Sequence, residues 1–268
     1  MAKGRRSADA DVVLGGLRFH YREWPRDNAP ALVLLHGITS QVGAWSDLAE
    51  RLREHRVIAL DQRGHGRSDR AEDYSTERLV GDLAAFVDAR GLRRFALGGH
   101  SMGGRVAYLY AAQEPSRVRR LVVSDIGPDS VGRALMPPRH DFADFDDAFA
   151  FVRSFRPDQP EATARRLLTE NLARRADGRW AFRFDPDVFT HRTADVPAAG
   201  WAALAAIRCP TLILRGAESD VLSQEAAERM AQVIPNATLV EIAGADHGLW
   251  YQQPKAFGEA VARFLALA

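Results

Sequence analysis

The feature that most constrains the fold is a repeated alternation of short apolar runs with helical segments. Continuous Val, Ile and Leu runs suit strands that are covered on both faces, as in parallel sheets. Six such runs occupy residues 31–37, 56–62, 94–101, 119–127, 210–218 and 237–245. Helical patterns at 44–55, 75–91 and 223–234 lie between them. This order predicts an α/β fold with a mostly parallel twisted sheet flanked by helices.

Local signals mark the ends of several of these elements. The opening stretch alternates around Gly15 and Gly16, which predicts a β-hairpin. The helix at 75–91 begins with Ser75 or Thr76 as its N-cap and ends at Gly91.

The alternation stops after the fourth of the strands above. Residues 128–200 are rich in Phe, Arg and Asp and read as helical pieces, with one short strand candidate at 179–186. We interpret this stretch as a helical cap inserted into the core. The predicted organisation is therefore a core formed by 1–127 and 201–268, with the cap between them.

Composition excludes several classes of protein. The chain has 36 Lys and Arg against 35 Asp and Glu, so its charge indicates no nucleic-acid partner. Its single cysteine, Cys209, cannot form an internal disulfide, and no Cys/His cluster has zinc spacing. The basic N-terminus lacks the apolar segment of a secretory signal, and no run approaches the roughly 18 apolar residues of a membrane span. We expect a cytoplasmic monomer or homodimer with a small-molecule substrate and no membrane partner.

One motif places a serine where a strand passes into a helix. Residues 99–103 read Gly-His-Ser-Met-Gly, the chain's one match to G-x-S-x-G. In this context the motif predicts a sharp elbow that projects Ser101 Oγ beyond the carboxyl end of the strand. A side chain at Gly99 or Gly103 would collide with the neighbouring strand and helix. The elbow therefore predicts a nucleophile rather than a phosphate-binding turn.

A serine nucleophile needs a base to remove its proton. His247 lies just past the last strand, at the sheet end to which Ser101 should point, and is the predicted base. We expect His36 to orient a loop, His65 to be structural and His100 to face away from the serine.

The base needs a carboxylate that fixes its tautomer. Asp220 follows the strand that precedes the His247 strand, and Glu218 could replace it geometrically. Asp125, at the end of another strand, is a competitor. In the chain the serine then comes first, the acid Asp220 second and His247 third, an order expected of one particular fold.

Developing negative charge on a carbonyl oxygen needs backbone donors. The N–H of Met102, at the start of a helix, is one predicted donor, and the N–H of Ile38 in the loop at 36–40 is the other. This pair forms a predicted oxyanion hole and points to acyl transfer.

With these landmarks in place, the sequence resembles the α/β-hydrolase family over nearly its whole length. The resemblance rests on "GHSMGG" together with "HGITS", "DQRGHGRSD", "RGAESD" and "GADHG" in that family's order. It implies an eight-stranded, mostly parallel sheet, a cap after the sixth strand and catalysis without a cofactor or metal. It also implies that Asp220 is preferred to Asp125 as the acid, although some members place the acid at the latter position. Ser101 disfavours the members with an Asp nucleophile.

The cap should supply most of the pocket wall. We expect Phe142 and Arg139 from the cap, and Trp45 and Trp250 from the core, to line the pocket. Arginines there would bind a substrate carboxylate, whereas the alternative interpretation makes the cap residues core and solvated surface.

The sequence therefore predicts a serine esterase or lactonase with a Ser-His-Asp triad that acts on a small acyl substrate. C–C bond or amide hydrolysis on the same site is one alternative. A ligand-binding receptor that turns over slowly or not at all is another.

Overall fold

A computed structural model describes residues 6–130, 139–190 and 197–266 of the chain. Eight strands form the main sheet and three short ones form a second sheet. The strands are β1 Ala8–Leu14, β2 Leu17–Trp24, β3 Ala31–Leu35, β4 Arg56–Leu60, β5 Phe95–His100, β6 Val118–Ser124, β7 Asp141–Phe142, β8 Leu172–Arg174, β9 Trp180–Phe182, β10 Thr211–Gly216 and β11 Ala237–Ile242.

Helices follow most of the strands. They are α1 Ser46–Arg51, α2 Thr76–Ala89, α3 Met102–Gln113, α4 Phe145–Phe155, α5 Glu161–Asn171, α6 Pro197–Ala206, α7 Gln224–Val233, α8 Leu249–Gln252 and α9 Pro254–Ala266. Short 3₁₀ helices span Val42–Trp45 and Pro186–Phe189. None of the helices in the described ranges is long and apolar enough to cross a membrane.

The main sheet has the strand order β1-β2-β4-β3-β5-β6-β10-β11. The β1–β2 and β2–β4 pairs are antiparallel, and the remaining pairs are parallel. The predicted α/β class, with an eight-stranded, mostly parallel sheet, is therefore confirmed. Because all six parallel strands run the same way, their carboxyl ends lie along one edge of the sheet.

Apolar side chains cover both faces of this sheet. Successive residues of a strand point to opposite faces. In β3, Leu32 and Leu34 belong to one buried cluster, whereas Val33 and Leu35 belong to the other. All six residues of β5 are buried. Double coverage explains why the central strands read as continuous apolar runs.

The predicted local signals hold in the structure. Gly15 and Gly16 form the β1–β2 turn with φ of 56° and 87°. Ser75 caps α2 by accepting a hydrogen bond from the Arg78 N–H. The helix ends before Gly91, which has φ of 63°.

The predicted cap region contains a small antiparallel sheet as well as helices. Strands β7, β9 and β8 pair in that order, and β9 lies within the predicted strand at 179–186. Helices α4 and α5 pack with this sheet around a separate aromatic cluster. Helix α6 crosses the predicted boundary at residue 200 and packs on α3. Segments 131–138 and 191–196 lie outside the described residues.

Candidate active site

The chain turns sharply at Ser101, between β5 and α3. Ser101 has φ of 53° and ψ of −123°, a backbone conformation that residues other than glycine rarely adopt. A Cβ on Gly99 would collide with the Gly103 carbonyl, and one on Gly103 would collide with the Leu35 carbonyl of β3. The Ser101 N–H donates to the Ser124 carbonyl over 2.9 Å, which ties the elbow to β6. Ser101 thus occupies a strained turn of the predicted kind.

His247 brings its ring to the serine from the loop after β11. Its Nε2 lies 3.0 Å from Ser101 Oγ, and its Nδ1 lies 2.8 Å from Asp125 Oδ2. A carboxylate accepts hydrogen bonds, so Nδ1 donates to Asp125. Nε2 is then left with a lone pair that can accept the serine hydroxyl proton.

The acid in this geometry is Asp125, so the expected pairing of His247 with Asp220 is corrected. Asp125 directly follows β6, beside the β5 end that carries Ser101. Both ring nitrogens of His247 are engaged, one by Asp125 and one by Ser101. Asp220 has an exposed side chain at the cavity wall. Strand order alone could not decide between two acids that both follow parallel strands.

Asp125 is fully buried and held by several donors. It accepts a hydrogen bond from the Gly216 N–H over 2.9 Å and another from Ser219 Oγ. Its own N–H donates to the Leu214 carbonyl over 2.8 Å. These bonds offset the free-energy cost of burying a carboxylate. They also orient Oδ2 toward His247.

Ser219 is a site residue that the sequence analysis did not identify. Besides donating to Asp125, its hydroxyl accepts from the N–H groups of Val221 and Leu222. Its position within "RGAESD" was the available signal, because that loop was predicted to supply the acid. The loop instead supplies a donor to an acid on the neighbouring strand.

The His100 ring packs against His247, a contact that the expectation of a ring facing away from Ser101 did not include. Its ring centroid is 4.6 Å from that of His247, and its Nδ1 is 3.2 Å from Ser124 Oγ. Burial lowers the His100 pKa well below its ordinary value, and the charges of His247 and Arg156 lower it further. His100 is therefore a neutral ring that packs on His247.

The turn after β3 lies beside Ser101. A Cβ on Gly37 would be 3.2 Å from Ser101 Cβ, so the backbone passes close to the serine. The Gly37 carbonyl accepts from His36 Nδ1–H over 2.8 Å and from the Ser40 N–H over 3.2 Å. In a trans peptide the following N–H points the opposite way. The Ile38 N–H therefore faces away from the His36 ring.

Two buried histidines support this turn. His36 Nε2 accepts the Gln62 N–H over 3.1 Å, and burial lowers the His36 pKa to about 3. His65 Nδ1 donates to the Arg63 carbonyl over 2.9 Å, and burial lowers the His65 pKa to about 4. The expectations that His36 orients a loop and that His65 is structural agree with these bonds.

The second predicted oxyanion donor, the Met102 N–H, opens α3. The N–H groups of a helix's first turn have no carbonyl partner within the helix. They also carry the positive end of the helix dipole. Met102 and Ile38 both line the cavity that contains Ser101.

This cavity has a volume of about 1070 Å³ between the cap and the sheet edge. Trp45 and Trp250 line it, as expected, and Trp45 is almost fully buried. The cap contributes apolar side chains, among them Phe151, Phe155 and Leu167. The walls are mostly apolar around a few polar groups, which is typical of small-molecule sites.

Two predicted pocket residues lie elsewhere, and these expectations are corrected. Phe142 is fully buried inside the cap, where its ring packs against Phe151 and Phe182. Arg139 is exposed, pairs with Asp147 over 2.7 Å and lies over the Phe142 ring. The alternative interpretation, cap core and solvated surface, describes both residues.

No group of three or more His, Cys, Asp or Glu side chains in the described ranges is arranged to hold a metal ion. The polar groups around Ser101 are those of nucleophilic acyl chemistry: a hydroxyl, an imidazole, a carboxylate and backbone N–H groups.

A family model of the alpha/beta hydrolase fold matches residues 30–254, which include every residue of the site described above. The chain belongs to the α/β hydrolase fold family. It is an α/β-fold hydrolase, and several of its curated relatives carry names of esterases, lipases and other hydrolases.

Two of the relatives illustrate how much of the length is matched. One is a Bacillus subtilis (strain 168) protein that carries the name of a 2-succinyl-6-hydroxy-2,4-cyclohexadiene-1-carboxylate synthase, 30% identical over 95% of this chain and 97% of that protein. The other is the esterase YbfF of Escherichia coli (strain K12), 28% identical over 89% of this chain and 94% of that protein. The crystal structure of an E-2-(acetamidomethylene)succinate hydrolase superposes with a TM-score of 0.87 at 25% identity. It covers 98% of this chain and 100% of that one.

Proposed function

We propose that the protein hydrolyses a carboxylic ester or lactone through an acyl-enzyme on Ser101. The observation that carries the proposal is the hydrogen-bonded series Ser101–His247–Asp125 at the wall of the cavity. Each distance suits proton transfer, and the serine sits on an elbow that exposes its hydroxyl.

In the first half-reaction, Ser101 Oγ attacks the substrate carbonyl carbon while His247 Nε2 takes the hydroxyl proton. The imidazolium that forms is stabilised by Asp125 through Nδ1. The carbonyl oxygen becomes an oxyanion, for which the N–H groups of Ile38 and Met102 are the proposed donors. His247 then gives the proton to the leaving alkoxide oxygen, the C–O bond breaks and the acyl group stays on Ser101.

In the second half-reaction, water replaces the alcohol. His247 removes one proton from the water, whose oxygen attacks the acyl carbon and forms a second oxyanion. The bond from the acyl carbon to Ser101 Oγ breaks, and His247 returns the proton to Ser101. The products are a carboxylic acid and the regenerated enzyme.

The cavity favours substrates with an apolar arm. Its volume of about 1070 Å³ exceeds what an acetyl group fills, and its cap side is aromatic and aliphatic. Each methylene buried there should contribute about 0.8 kcal/mol. We therefore expect medium-chain acyl esters to react with a higher kcat/KM than acetyl esters. The esterase relative is consistent with this substrate class.

Amide hydrolysis by the same residues is the second candidate. It is favoured by the structural relative whose name contains an acetamido group. The two candidates differ in the leaving atom that His247 protonates, oxygen for an ester and nitrogen for an amide. Parallel assays with ester and anilide substrates of one acyl group separate them.

The testing experiment compares the wild type with Ser101→Ala on p-nitrophenyl esters of increasing acyl length. If the triad acts as a unit, removal of the serine should lower kcat by a factor on the order of 10⁶. A fluorophosphonate probe should label the wild type and not the variant. The proposal fails if the variant hydrolyses esters as fast as the wild type. It also fails if no ester or anilide is turned over and the probe does not react.

A further inference from the structure

One cap side chain contacts the proposed oxyanion turn directly. Asn171 is the last residue of α5, and its Nδ2 donates to the Thr39 carbonyl over 2.8 Å. Thr39 follows Ile38, whose N–H is a proposed oxyanion donor. Asn171 also lines the cavity. The cap and the oxyanion turn are thus joined by a hydrogen bond at the wall of the site.

Thr39 has an unfavourable backbone conformation. Its φ is 65°, in the left-handed region, where a β-branched residue is a marked outlier. It is the third residue of the turn closed by the Ser40 N–H to the Gly37 carbonyl, a position at which φ above zero favours glycine. Such strain persists only where surrounding contacts hold the residue in place, and it is concentrated at functional sites.

Within the described part of the chain, only one of the two polar atoms of the Asn171 side-chain amide is used in a hydrogen bond. Its Oδ1 is buried and has no hydrogen-bond partner among the described residues. An unsatisfied buried acceptor costs roughly 1–3 kcal/mol, which an aliphatic side chain would avoid. What the amide provides is therefore its Nδ2–H, and the acceptor of that group is Thr39.

Helix α5 is fixed to the core next to this contact. Arg166 donates to the Gly43 carbonyl over 2.9 Å and pairs with Asp47 over 3.0 Å, and Glu170 pairs with Arg22 over 2.9 Å. These links hold the end of α5 in place and do not involve Thr39. The backbone of Asn171 is therefore fixed relative to the turn.

We propose that Asn171 is a positioning residue that holds Thr39 in its left-handed conformation and thereby aims the Ile38 N–H at the substrate oxyanion. This inference rests on the proposed function. The Gly37 carbonyl is restrained on one side of the turn by His36 and Ser40, and Asn171 restrains the Thr39 carbonyl on the other. Both peptide units that flank Ile38 and Thr39 are then fixed before substrate binds, as electrostatic preorganisation requires.

The experiment compares Asn171→Ala and the isosteric Asn171→Asp with Arg166→Met, which removes a cap–core link away from the turn. A misplaced donor should lower kcat by about 10–100-fold, because a shift of about 1 Å costs that much. KM should change little. Affinity for a trifluoromethyl ketone, which forms an oxyanion on Ser101, should fall in proportion to kcat, whereas affinity for the matching methyl ketone should not. Arg166→Met should lower the melting temperature and keep kcat.

A second variant separates positioning from simple structural loss. Glycine adopts φ near 65° without strain, so in a Thr39→Gly background the Asn171→Ala change should lower kcat by a smaller factor. If Asn171→Ala lowered kcat by the same factor in the wild-type and Thr39→Gly backgrounds, the proposal would be contradicted. The same conclusion would follow if Asn171→Ala kept the wild-type kcat, or if Arg166→Met lowered kcat as much as Asn171→Ala does. Failure of both Asn171 variants to fold would show a structural role and also overturn it. Wild type and Ser101→Ala are measured alongside, since an inactive wild type or an active Ser101→Ala refutes the proposed function instead.

Discussion

Ser101 and Asp125 occupy equivalent positions on adjacent parallel strands. His100 pairs in register with Ser124, so each catalytic candidate is the first residue after its strand, and the two have φ of 53° and 51°. The Ser101 N–H donates to the Ser124 carbonyl, which joins the two turns. The proposed nucleophile and acid are therefore positioned by the register of one strand pair, whereas His247 comes from the loop after β11.

The first prediction distinguishes the two acids. Asp125→Asn should lower kcat by roughly 10⁴, because an amide at this position holds the wrong imidazole tautomer. Asp220→Asn, which changes an exposed side chain at the cavity wall, should keep most of the wild-type kcat. Steady-state hydrolysis of a p-nitrophenyl ester by the two variants measures the difference. The reverse order of activities would restore Asp220 as the acid.

The second prediction concerns the donor to that acid. Ser219→Ala removes a hydrogen bond to Asp125 Oδ2, the oxygen that also faces His247. Loss of a partner that orients a catalytic group should lower kcat about 10-fold, by analogy with the outer-shell effects seen at metal sites. KM should stay close to that of the wild type, since Ser219 is buried beneath the site. The same ester assay tests this, and a raised KM with unchanged kcat would contradict it.

The core fold was predictable because its signals are local and repeated. Apolar runs, helix caps such as Ser75 and the turn at Gly15 each depend on a few neighbouring residues. Ser101 was predictable because the glycines on both sides of it form a short motif, although the atom that a side chain at Gly103 would meet belongs to Leu35 of β3, far away in the sequence. The cap was less predictable, since its three strands have two or three residues each and form only through pairing with one another.

The identity of the acid and of the pocket residues depends on contacts between residues that are far apart in the sequence. Asp125 and Asp220 both follow parallel strands, and their roles are decided by which carboxylate reaches the His247 ring. Phe142 lies in β7, whose pairing with β9 places it inside the cap, and Arg139 precedes that strand and pairs with Asp147. His100 packs against His247 because the loop after β11 folds back over the elbow. These relationships arise from tertiary packing.

The third prediction concerns stability at acidic pH. Burial lowers the pKa of His36 to about 3 and of His65 to about 4, below the ordinary value of 6.5. At a pH between the folded and unfolded pKa values, these histidines are protonated in the unfolded chain and neutral in the folded one. The free energy of unfolding therefore falls as the pH falls below 6.5. Each buried histidine should lower it by about 1.4 kcal/mol between about pH 7.5 and 5.5.

Urea unfolding of wild type and His65→Gln at the two pH values measures this effect. The variant should lose less stability on acidification, by about the contribution of one histidine. Burial raises the pKa of Asp61 to about 7, and its titration acts in the opposite sense. Because Asp61 is present in both proteins, its contribution cancels when the pH dependence of the variant is subtracted from that of the wild type. An identical pH dependence in both would show that His65 has the same pKa in the folded and the unfolded chain, which contradicts the prediction.

The fourth prediction compares two glycines in helices. In Gly103→Ala the new Cβ meets the Leu35 carbonyl of β3, a rigid backbone atom, so α3 must move away from the sheet. We expect a loss of about 2 kcal/mol or more in the free energy of unfolding. A large drop in kcat should accompany it, because the same movement displaces Ser101 and the Met102 N–H.

Gly81, in the middle of α2, is the matched control. It is exposed, and a Cβ there would have no atom within 4 Å. Gly81→Ala should therefore raise the free energy of unfolding by about 0.5–1 kcal/mol through helix propensity, with kcat unchanged. Denaturant melts and the ester assay on both variants give the comparison. If Gly103→Ala also kept its activity, the close contact between α3 and β3 would not be what holds Ser101 at the elbow.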